Sequence, residues 1–169
     1  LLNQMGTDGK VTGVDFCDEM LEVAKNKTPA EFKDRINWVK GNAISLPFED
    51  SRFDGAIIGF ALRNVPSIEK TISEMKRAVK PGGKVVSLDL AKPSAPIFKQ
   101  SYYFYLNKVI PFFGKIGIGK RGPYDYLPDS LKTFPHQKEI RDIFGDLGLK
   151  DANYHELTGG IVAVHVGTV

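Results

Sequence analysis

The order of apolar segments is the feature that most constrains the fold. Short runs rich in β-branched residues alternate with segments of helical spacing, and two strand-like runs then follow each other at the end. The strand-like runs are residues 10–15, 36–40, 53–60, 84–90, 150–157 and 161–168. Strand–helix–strand alternation predicts a parallel sheet, and run 53–60, nearly all apolar, is expected to be covered on both faces. The last two runs are joined only through Thr158-Gly159-Gly160, which permits only an antiparallel pair.

Three helices are predicted from apolar spacing and end signals. The first begins at Asp18, a residue type that caps helices, and the second is capped by Ser67 and stopped by Pro81-Gly82-Gly83. The third begins near His136 and ends before Gly148. The buried face of the first helix is expected to comprise Met20, Leu21 and Ala24.

Composition excludes several classes of protein. At 169 residues, with 42% hydrophobic and 25% charged residues, the chain is expected to form a single globular domain over residues 1–169. A net charge of +3 is too small for a dedicated nucleic-acid binder, so no nucleic acid is expected as a partner. The single cysteine, Cys17, cannot form an internal disulfide and fits a reducing cytosol. The three histidines do not cluster at ligand spacing, so no metal site is predicted.

An aromatic-rich segment interrupts the α/β pattern at about residues 91–135. It contains the runs SYYFYL (101–106) and VIPFF (109–113), with lysine and arginine between the aromatic residues. We interpret this segment as a cap inserted over the ligand-binding edge of the sheet; the alternative is that its aromatic side chains pack only against one another. The run GIGKRG (117–122) follows no strand and precedes a proline, so it is interpreted as a turn of the cap.

Candidate binding residues follow the predicted strands. Ligands of open parallel sheets bind beyond the carboxyl ends of the strands, and those positions are Asp15-Phe16, Asn42-Ala43, residues 59–64 and Asp89. An acidic residue in such a place can accept hydrogen bonds from both hydroxyl groups of a ribose. The alternative for Asp15 is that it only caps the following helix. We expect neighbouring strand ends to bring Asp15, Asn42 and Arg63 around one cleft.

A family resemblance is carried by several short motifs. They are GNA (41–43), LPF (46–48), FD (53–54), LRNV (62–65), KPGG (80–83), YxYLPxS (124–130) and FP (134–135). Over essentially the whole chain they resemble the UbiE/MenG-type C-methyltransferases of menaquinone and ubiquinone biosynthesis, which are class I methyltransferases. The resemblance implies a Rossmann-like α/β fold with a mostly parallel sheet, an antiparallel hairpin at the end and an aromatic-rich helical cap.

The resemblance also implies a reaction and a cofactor. The enzymes of this family transfer a methyl group from S-adenosyl-L-methionine to a ring carbon of a polyprenylated quinol, either demethylmenaquinol or the benzoquinol of ubiquinone synthesis. By matching positions, Asp15 would hold the ribose, Asn42-Ala43 would lie beside the adenine, and Phe16 and Gly59 would also contact the cofactor. The family usually has a serine where this chain has Gly59, so only the Gly59 backbone is available.

The catalytic roles implied by the resemblance fall on Arg63 and Asn64. A quinol carbon becomes nucleophilic when the neighbouring hydroxyl group ionises. An arginine does not lose its proton in proteins, so Arg63 would stabilise the phenolate while Asn64 orients the oxygen or a water molecule. The alternative is that Arg63 only pairs with a nearby carboxylate. Tyr124 and Tyr126 of the cap are predicted to bind the substrate. Proton transfer is also open to Asp89, Tyr124, Tyr126 and His136.

The resemblance also bears on the partners of the protein and on two alternative functions. The cap would bury the isoprenoid tail, and its basic residues favour a peripheral membrane contact of a cytoplasmic protein; a homodimer is left open. The family's first strand and glycine-rich turn precede the position of Leu1, so residues 1–169 alone are expected to lack that strand, to bind the cofactor weakly and to be inactive. A non-catalytic lipid- or partner-binding relative of methyltransferases stays open. A nicotinamide-dependent reductase would need an upstream G-x-G-x-x-G and would lack the terminal hairpin.

Overall fold

The computed structural model describes residues 2–93 and 127–169. The chain divides into two compact units, Leu1–Phe48 and Glu49–Val169, and each is described by itself. The order of strands and helices along both units is α/β, as the sequence predicts. The single domain expected over residues 1–169 stays a prediction.

The first unit is a parallel strand pair with one helix. Strand β1 (Val11–Asp15) pairs with β2 (Ile36–Lys40) in register, and helix α1 (Asp18–Lys27) connects them together with a 3-10 segment (Ala30–Arg35). Both strands lie where the periodicity predicts them. The 3-10 segment was not predicted, because its six residues show no helical repeat of apolar side chains.

Helix α1 differs from its prediction in two respects. Its N-cap is Cys17, and Asp18 is its first helical residue, because the Asp15 carboxylate already accepts the backbone N–H of Cys17 at 2.9 Å. Leu21 is buried as expected, whereas Met20 is 55% exposed. Successive helical residues point about 100° apart, so the face that carries Leu21 turns Met20 away from the strands.

The second unit is a four-stranded mixed sheet with helices against it. Its strands are β3 (Phe53–Gly59), β4 (Val79–Leu90), β5 (Lys150–Leu157) and β6 (Val162–Thr168). The spatial order is β3-β4-β6-β5, with β3 and β4 parallel and the other pairs antiparallel. The terminal antiparallel hairpin is therefore confirmed, and its presence speaks against the reductase alternative.

Helices α2 (Ile68–Ala78), α3 (Leu127–Thr133) and α4 (Gln137–Asp146) belong to the same unit. The predicted ends are confirmed at three points: Ser67 Oγ accepts the N–H of Lys70, His136 Nδ1 accepts the N–H of Lys138, and Gly148 follows α4 with φ +75°. The core joins α2 and α4 to the sheet through Leu62, Ile72, Met75, Val79, Val85, Phe134, Ile140, Phe144 and Leu149.

Two expectations for this unit are wrong. Helix α2 ends at Ala78, before Pro81-Gly82-Gly83, because the N–H groups of Ser51 and Arg52 bind the last carbonyl groups of the helix. Strand β4 accordingly begins at Val79 rather than Lys84. Strand β3 is not covered on both faces, since the core covers Ala56 and Ile58 while Ile57, on the other face, is 58% exposed.

Most of the predicted cap, together with Tyr124, Tyr126 and the glycine-rich run 117–122, lies outside the described residues. Its far end is described and contains α3, a helix that the sequence analysis did not predict. Within the part of the chain that the structure describes, no helix combines the length and the apolar composition needed to cross a membrane.

Candidate functional site

The first group of candidate residues lies where β1 and β2 end. Asp15 and Lys40 are register partners at the last position of the strand pair, and the N–H of Gly41 donates to the Asp15 carbonyl oxygen at 3.0 Å. Residues 15–16 and 42–43 thus leave the same edge of the first unit. The parallel register, fixed by the hydrogen-bond ladder, is what brings residues 27 positions apart together.

Both alternatives for Asp15 find support in its contacts. Oδ1 accepts the N–H of Cys17, the N-cap residue of α1, which places Asp15 at the start of the capping region, whereas Oδ2 accepts no hydrogen bond from any described residue. Asp15 is half-buried, and the Phe16 ring beside it is 78% exposed. One carboxylate oxygen and one aromatic face are therefore available to a ligand at this edge.

Asn42 is less versatile than its side chain alone suggests. Its Oδ1 accepts the N–H of Ile44 at 3.2 Å, and its carbonyl oxygen accepts the N–H of Ser45 at 3.0 Å. The turn therefore uses the acceptor of the side chain and leaves the two N–H donors of Nδ2. Asn42 is exposed and the adjoining Ala43 is half-buried.

The second group follows β3 in the other unit and is organised by a buried ion pair. Arg63 Nη1 donates to Asp89 Oδ1 at 2.5 Å, and the Arg63 backbone N–H donates to Asp89 Oδ2 at 3.1 Å. The two side chains are only 6% and 2% exposed. Arg63 is thus paired with a carboxylate, as one alternative expected. Taking either partner away would leave a buried charge uncompensated.

Arg63 is also one of the residues that line an open cleft. This Arg63 cleft has a volume of about 260 Å³. It is lined by Leu62, Arg63, Val65, Pro66, Ser67, Ile68, Glu69, Thr133, Phe134 and Pro135. Arg63 Nε is buried and has no hydrogen-bond partner among the described residues, so the guanidinium is anchored by Asp89 at Nη1 while its Nε is left unpaired there. Asn64, next in sequence, is exposed.

Phe60 lies within the predicted range 59–64, but the sequence assigned it no role. Its φ is +54°, a left-handed conformation that costs a non-glycine residue about 1–3 kcal/mol. The turn is held by Phe60 N–H donating to the Leu88 carbonyl oxygen at 2.7 Å and by Arg63 Nη1 donating to the Phe60 carbonyl oxygen at 2.8 Å. A large apolar residue between Gly59 and Ala61 directly after a strand was the available signal.

The strand topology, the strand-end residues and the terminal hairpin can be set against known proteins. A model of the ubiE/COQ5 methyltransferase family matches residues 1–169. The chain belongs to the ubiE/COQ5 methyltransferase family. The family expected from the motifs is therefore confirmed.

Similar members of the ubiE/COQ5 family carry one name. A demethylmenaquinone methyltransferase of Desulfitobacterium hafniense is 48% identical over 164 residues, which are 96% of this chain and 65% of that protein. Those of Shouchella clausii and Bacillus subtilis are each 41% identical over 167 residues, 99% of this chain and 71% and 72% of those proteins. The chain thus spans about two thirds of the length of these relatives, and just under that of the first.

Solved structures support the fold. A SAM-dependent methyltransferase of Aquifex aeolicus has a TM-score of 0.69 at 18% identity, with 99% of this chain and 72% of that chain covered. The putative methyltransferase in a complex with the Haloferax volcanii Trm112 activator has a TM-score of 0.69 at 17% identity, with 95% and 72% covered. The class I methyltransferase fold expected from the sequence is therefore confirmed.

For this member of the ubiE/COQ5 family, the structure brings the predicted residues together within each unit. In the first unit, the carboxyl ends of β1 and β2 carry Asp15, Phe16, Asn42 and Ala43. In the second unit, the carboxyl end of β3 is followed by Arg63 and Asn64, and Gly59 is its last residue. Their meeting around one cleft stays a prediction. A side chain at Gly59 would contact nothing within 4 Å, and its backbone needs no glycine, so the family's usual serine would fit there. His136, the proposed relay, uses Nδ1 as a helix cap.

Close to Asp89 lies a buried polar cluster to which the sequence assigned no role. Ser87 and His165 are directly paired across β4 and β6, and both are at most 2% exposed. His165 Nε2 lies 2.9 Å from the Gln137 carbonyl oxygen, which fixes Nε2 as the protonated nitrogen. Within residues 2–93 and 127–169, neither His165 Nδ1 nor Ser87 Oγ has a hydrogen-bond partner. Burial lowers the pKa of His165, although the Gln137 carbonyl and Asp89 oppose this shift.

Proposed function

We propose that this protein transfers the methyl group of S-adenosyl-L-methionine to a ring carbon of demethylmenaquinol. The name shared by the relatives supports the reaction. The observation that carries it is Arg63, which follows β3, has its guanidinium anchored by Asp89 and is one of the residues that line an open cleft. A cation held in a site of low dielectric is what an ionising quinol oxygen needs for stabilisation.

The end of the β1–β2 pair offers groups that fit the adenosine part of the cofactor. Asp15 Oδ2 can accept from a ribose hydroxyl, and Asn42 Nδ2 can donate to a ring nitrogen of adenine. The exposed Phe16 ring adds an apolar face, and Ala43 adds backbone groups. A cofactor contact of the Gly59 backbone, in the second unit, stays a prediction. When bound, the cofactor supplies an electrophilic methyl group; these residues bind and orient it.

The acceptor is prepared by the groups that follow β3. Arg63 cannot remove a proton, but it lowers the free energy of the phenolate that forms when the quinol hydroxyl ionises. Asp89 prevents the guanidinium from turning away, because it holds both Nη1 and the backbone N–H of Arg63. Asn64 is exposed beside it and orients the quinol oxygen or a water molecule that carries the proton away.

The remaining parts of the proposal concern the cap and the setting of the enzyme. Tyr124, Tyr126 and the aromatic runs of residues 91–135 bind the polyprenyl tail, since branched and aromatic side chains bury its methylene groups. The benzoquinol of ubiquinone synthesis is the second substrate of the same class. A cytoplasmic enzyme in peripheral contact with the membrane, as a monomer or a homodimer, would reach such a substrate.

The test compares methyl transfer by the full-length wild-type protein and by an arginine variant of it, because residues 1–169 alone are expected to be inactive. Transfer of a labelled methyl group from S-adenosylmethionine to a short-chain demethylmenaquinol should occur in the wild type and fall about 100-fold in Arg63→Lys. Arg63 Nη1 already bonds both Asp89 and the Phe60 carbonyl oxygen, and a lysine ammonium that replaced it would have no further guanidinium N–H groups to offer the substrate. Arg141→Lys is the matched control, since Arg141 pairs only with its exposed neighbour Asp142. Unchanged activity in Arg63→Lys would refute the role of Arg63. A wild type without transfer or S-adenosylhomocysteine binding would favour the non-catalytic alternative.

A further inference from the structure

Phe60 combines a strained backbone conformation with an apolar ring that is exposed to solvent. Its left-handed backbone, φ +54°, is fixed by hydrogen bonds at both its N–H and its carbonyl oxygen. Packing does not explain the conformation, because 47% of the residue is exposed. Strained residues that the surrounding structure over-determines cluster at ligand-binding sites. Phe60 therefore has the character of a binding residue.

The neighbours of Phe60 indicate what kind of ligand its ring meets. Arg63 Nη1 donates to the Phe60 carbonyl oxygen, and Arg63 is one of the residues that line the Arg63 cleft. An aromatic ring and a buried cation therefore leave the same strand end, three residues apart. A ligand that uses both is a planar ring that bears an ionisable oxygen. The adenine of the cofactor carries no such oxygen, whereas a hydroxylated methyl acceptor does.

We infer that Phe60 is a substrate-binding residue, on whose ring the aromatic ring of the methyl acceptor stacks while the ring oxygen faces Arg63. The inference rests on the proposed function, because the acceptor is the quinol named there. Phe60 makes and breaks no bond; it aligns the ring so that the reacting carbon and the methyl group meet in line. The Arg63–Asp89 pair therefore has two effects. Arg63 stabilises the negative charge of the acceptor, and its hydrogen bond to the Phe60 carbonyl oxygen fixes the position of Phe60.

The decisive experiment measures acceptor binding and cofactor binding separately in the full-length protein. The probes are a reduced 1,4-naphthoquinone with one prenyl group, and S-adenosylhomocysteine. Phe60→Leu should raise the Kd of the naphthoquinol about tenfold while the Kd of S-adenosylhomocysteine stays within about twofold, because leucine is apolar but offers no aromatic face. Phe60→Trp should stay within about threefold for both. Ile57→Ala, which removes another exposed apolar side chain of β3, should change neither.

A stability comparison tests the strain independently of any ligand. Phe60→Gly should unfold at a higher denaturant concentration than Phe60→Ala, because glycine adopts a positive φ without a steric cost. The reverse order would show that the left-handed turn is not imposed, and would remove the basis of the inference.

Three results would overturn the inference while leaving the proposed function standing. They are wild-type acceptor binding by an active Phe60→Leu variant, an equal loss of both ligands in that variant, and a Phe60→Trp variant as weak as Phe60→Leu. Absence of methyl transfer in the wild type would instead refute the proposed function itself. The two failures are therefore distinguishable.

Discussion

At the scale of single residues, the Arg63–Asp89 pair shows how burial changes the contribution of an ion pair to the free energy of unfolding. Exposed pairs contribute little to stability, because water screens them and long side chains lose entropy. A buried pair is costly to form, since both charges leave water, and costly to break, since the remaining charge is then alone. The pair therefore stabilises this fold less than its short distance suggests, and stability alone does not account for it.

Double substitution separates the cost of the pair from its function. Asp89→Leu should lower the free energy of unfolding by about 3–5 kcal/mol, because Arg63 is left buried without a counter-charge. Adding Arg63→Met should restore part of that loss, so the double variant unfolds at a higher urea concentration than Asp89→Leu alone. Both variants should lack methyl transfer. The exposed pair of Lys80 and Asp54 is the control, and the same cycle there should leave the urea midpoint unchanged. A double variant less stable than Asp89→Leu would contradict the argument.

The sequence could name Arg63 and Asp89 but could not show that they pair. They are 26 positions apart, and their contact depends on the parallel register in which Gly59 lies beside Leu88. That register places the carboxyl ends of β3 and β4 side by side, so that Arg63, which follows β3, can bind Asp89 near the end of β4. The left-handed Phe60 was equally hidden, because a positive φ is predicted from sequence mainly at glycine and asparagine.

At the scale of elements, local sequence patterns predicted the strand bounds and helix starts that depend on local interactions. Strands β1, β2, β5 and β6 lie within a residue or so of their predicted bounds, since β-branched runs between turn residues define them. The starts of α2 and α4 were set by Ser67 and His136, which cap them. The end of α2 was not predictable, because backbone groups of the distant loop 51–52 bind its last carbonyl groups.

The β1–β2 pair depends on one close contact that invites a test. A Cβ at Gly13 would collide with the Trp38 ring, whose Nε1 donates to Thr28 Oγ1 at 3.2 Å. Gly13→Ala should therefore destabilise the first unit by about 1–3 kcal/mol, the usual cost of overpacking. Urea unfolding followed by fluorescence of Trp38, the single tryptophan, measures this directly. Gly6→Ala, with open space around its Cβ, should keep the wild-type midpoint. Equal midpoints for the two variants would show that the ring moves aside freely.

At the scale of the whole molecule, connection lengths predicted the fold class better than composition did. Crossovers through helices require parallel strands, and a three-residue connection requires an antiparallel pair, so the topology follows from spacing. Burial was predicted less well: the apolar run of β3 suggested cover on both faces, yet Ile57 is exposed. Apolar content reports which residues can be buried, whereas actual burial depends on which other elements pack against the strand.

His165 should make the stability of the folded protein depend on pH. Burial lowers its pKa below the ordinary value of 6.5, while the unfolded chain retains that value. Below pH 6.5 the unfolded state therefore binds more protons, and the free energy of unfolding falls as the pH drops, by up to about 1.4 kcal/mol per pH unit; above pH 6.5 this contribution is complete and constant. Urea unfolding between pH 8 and pH 5 should show this slope in the wild type and a smaller one in His165→Gln, whose amide does not titrate. Asp89 faces His165 and opposes the shift, so equal slopes in the two proteins would mean that Asp89 and the Gln137 carbonyl offset the desolvation completely.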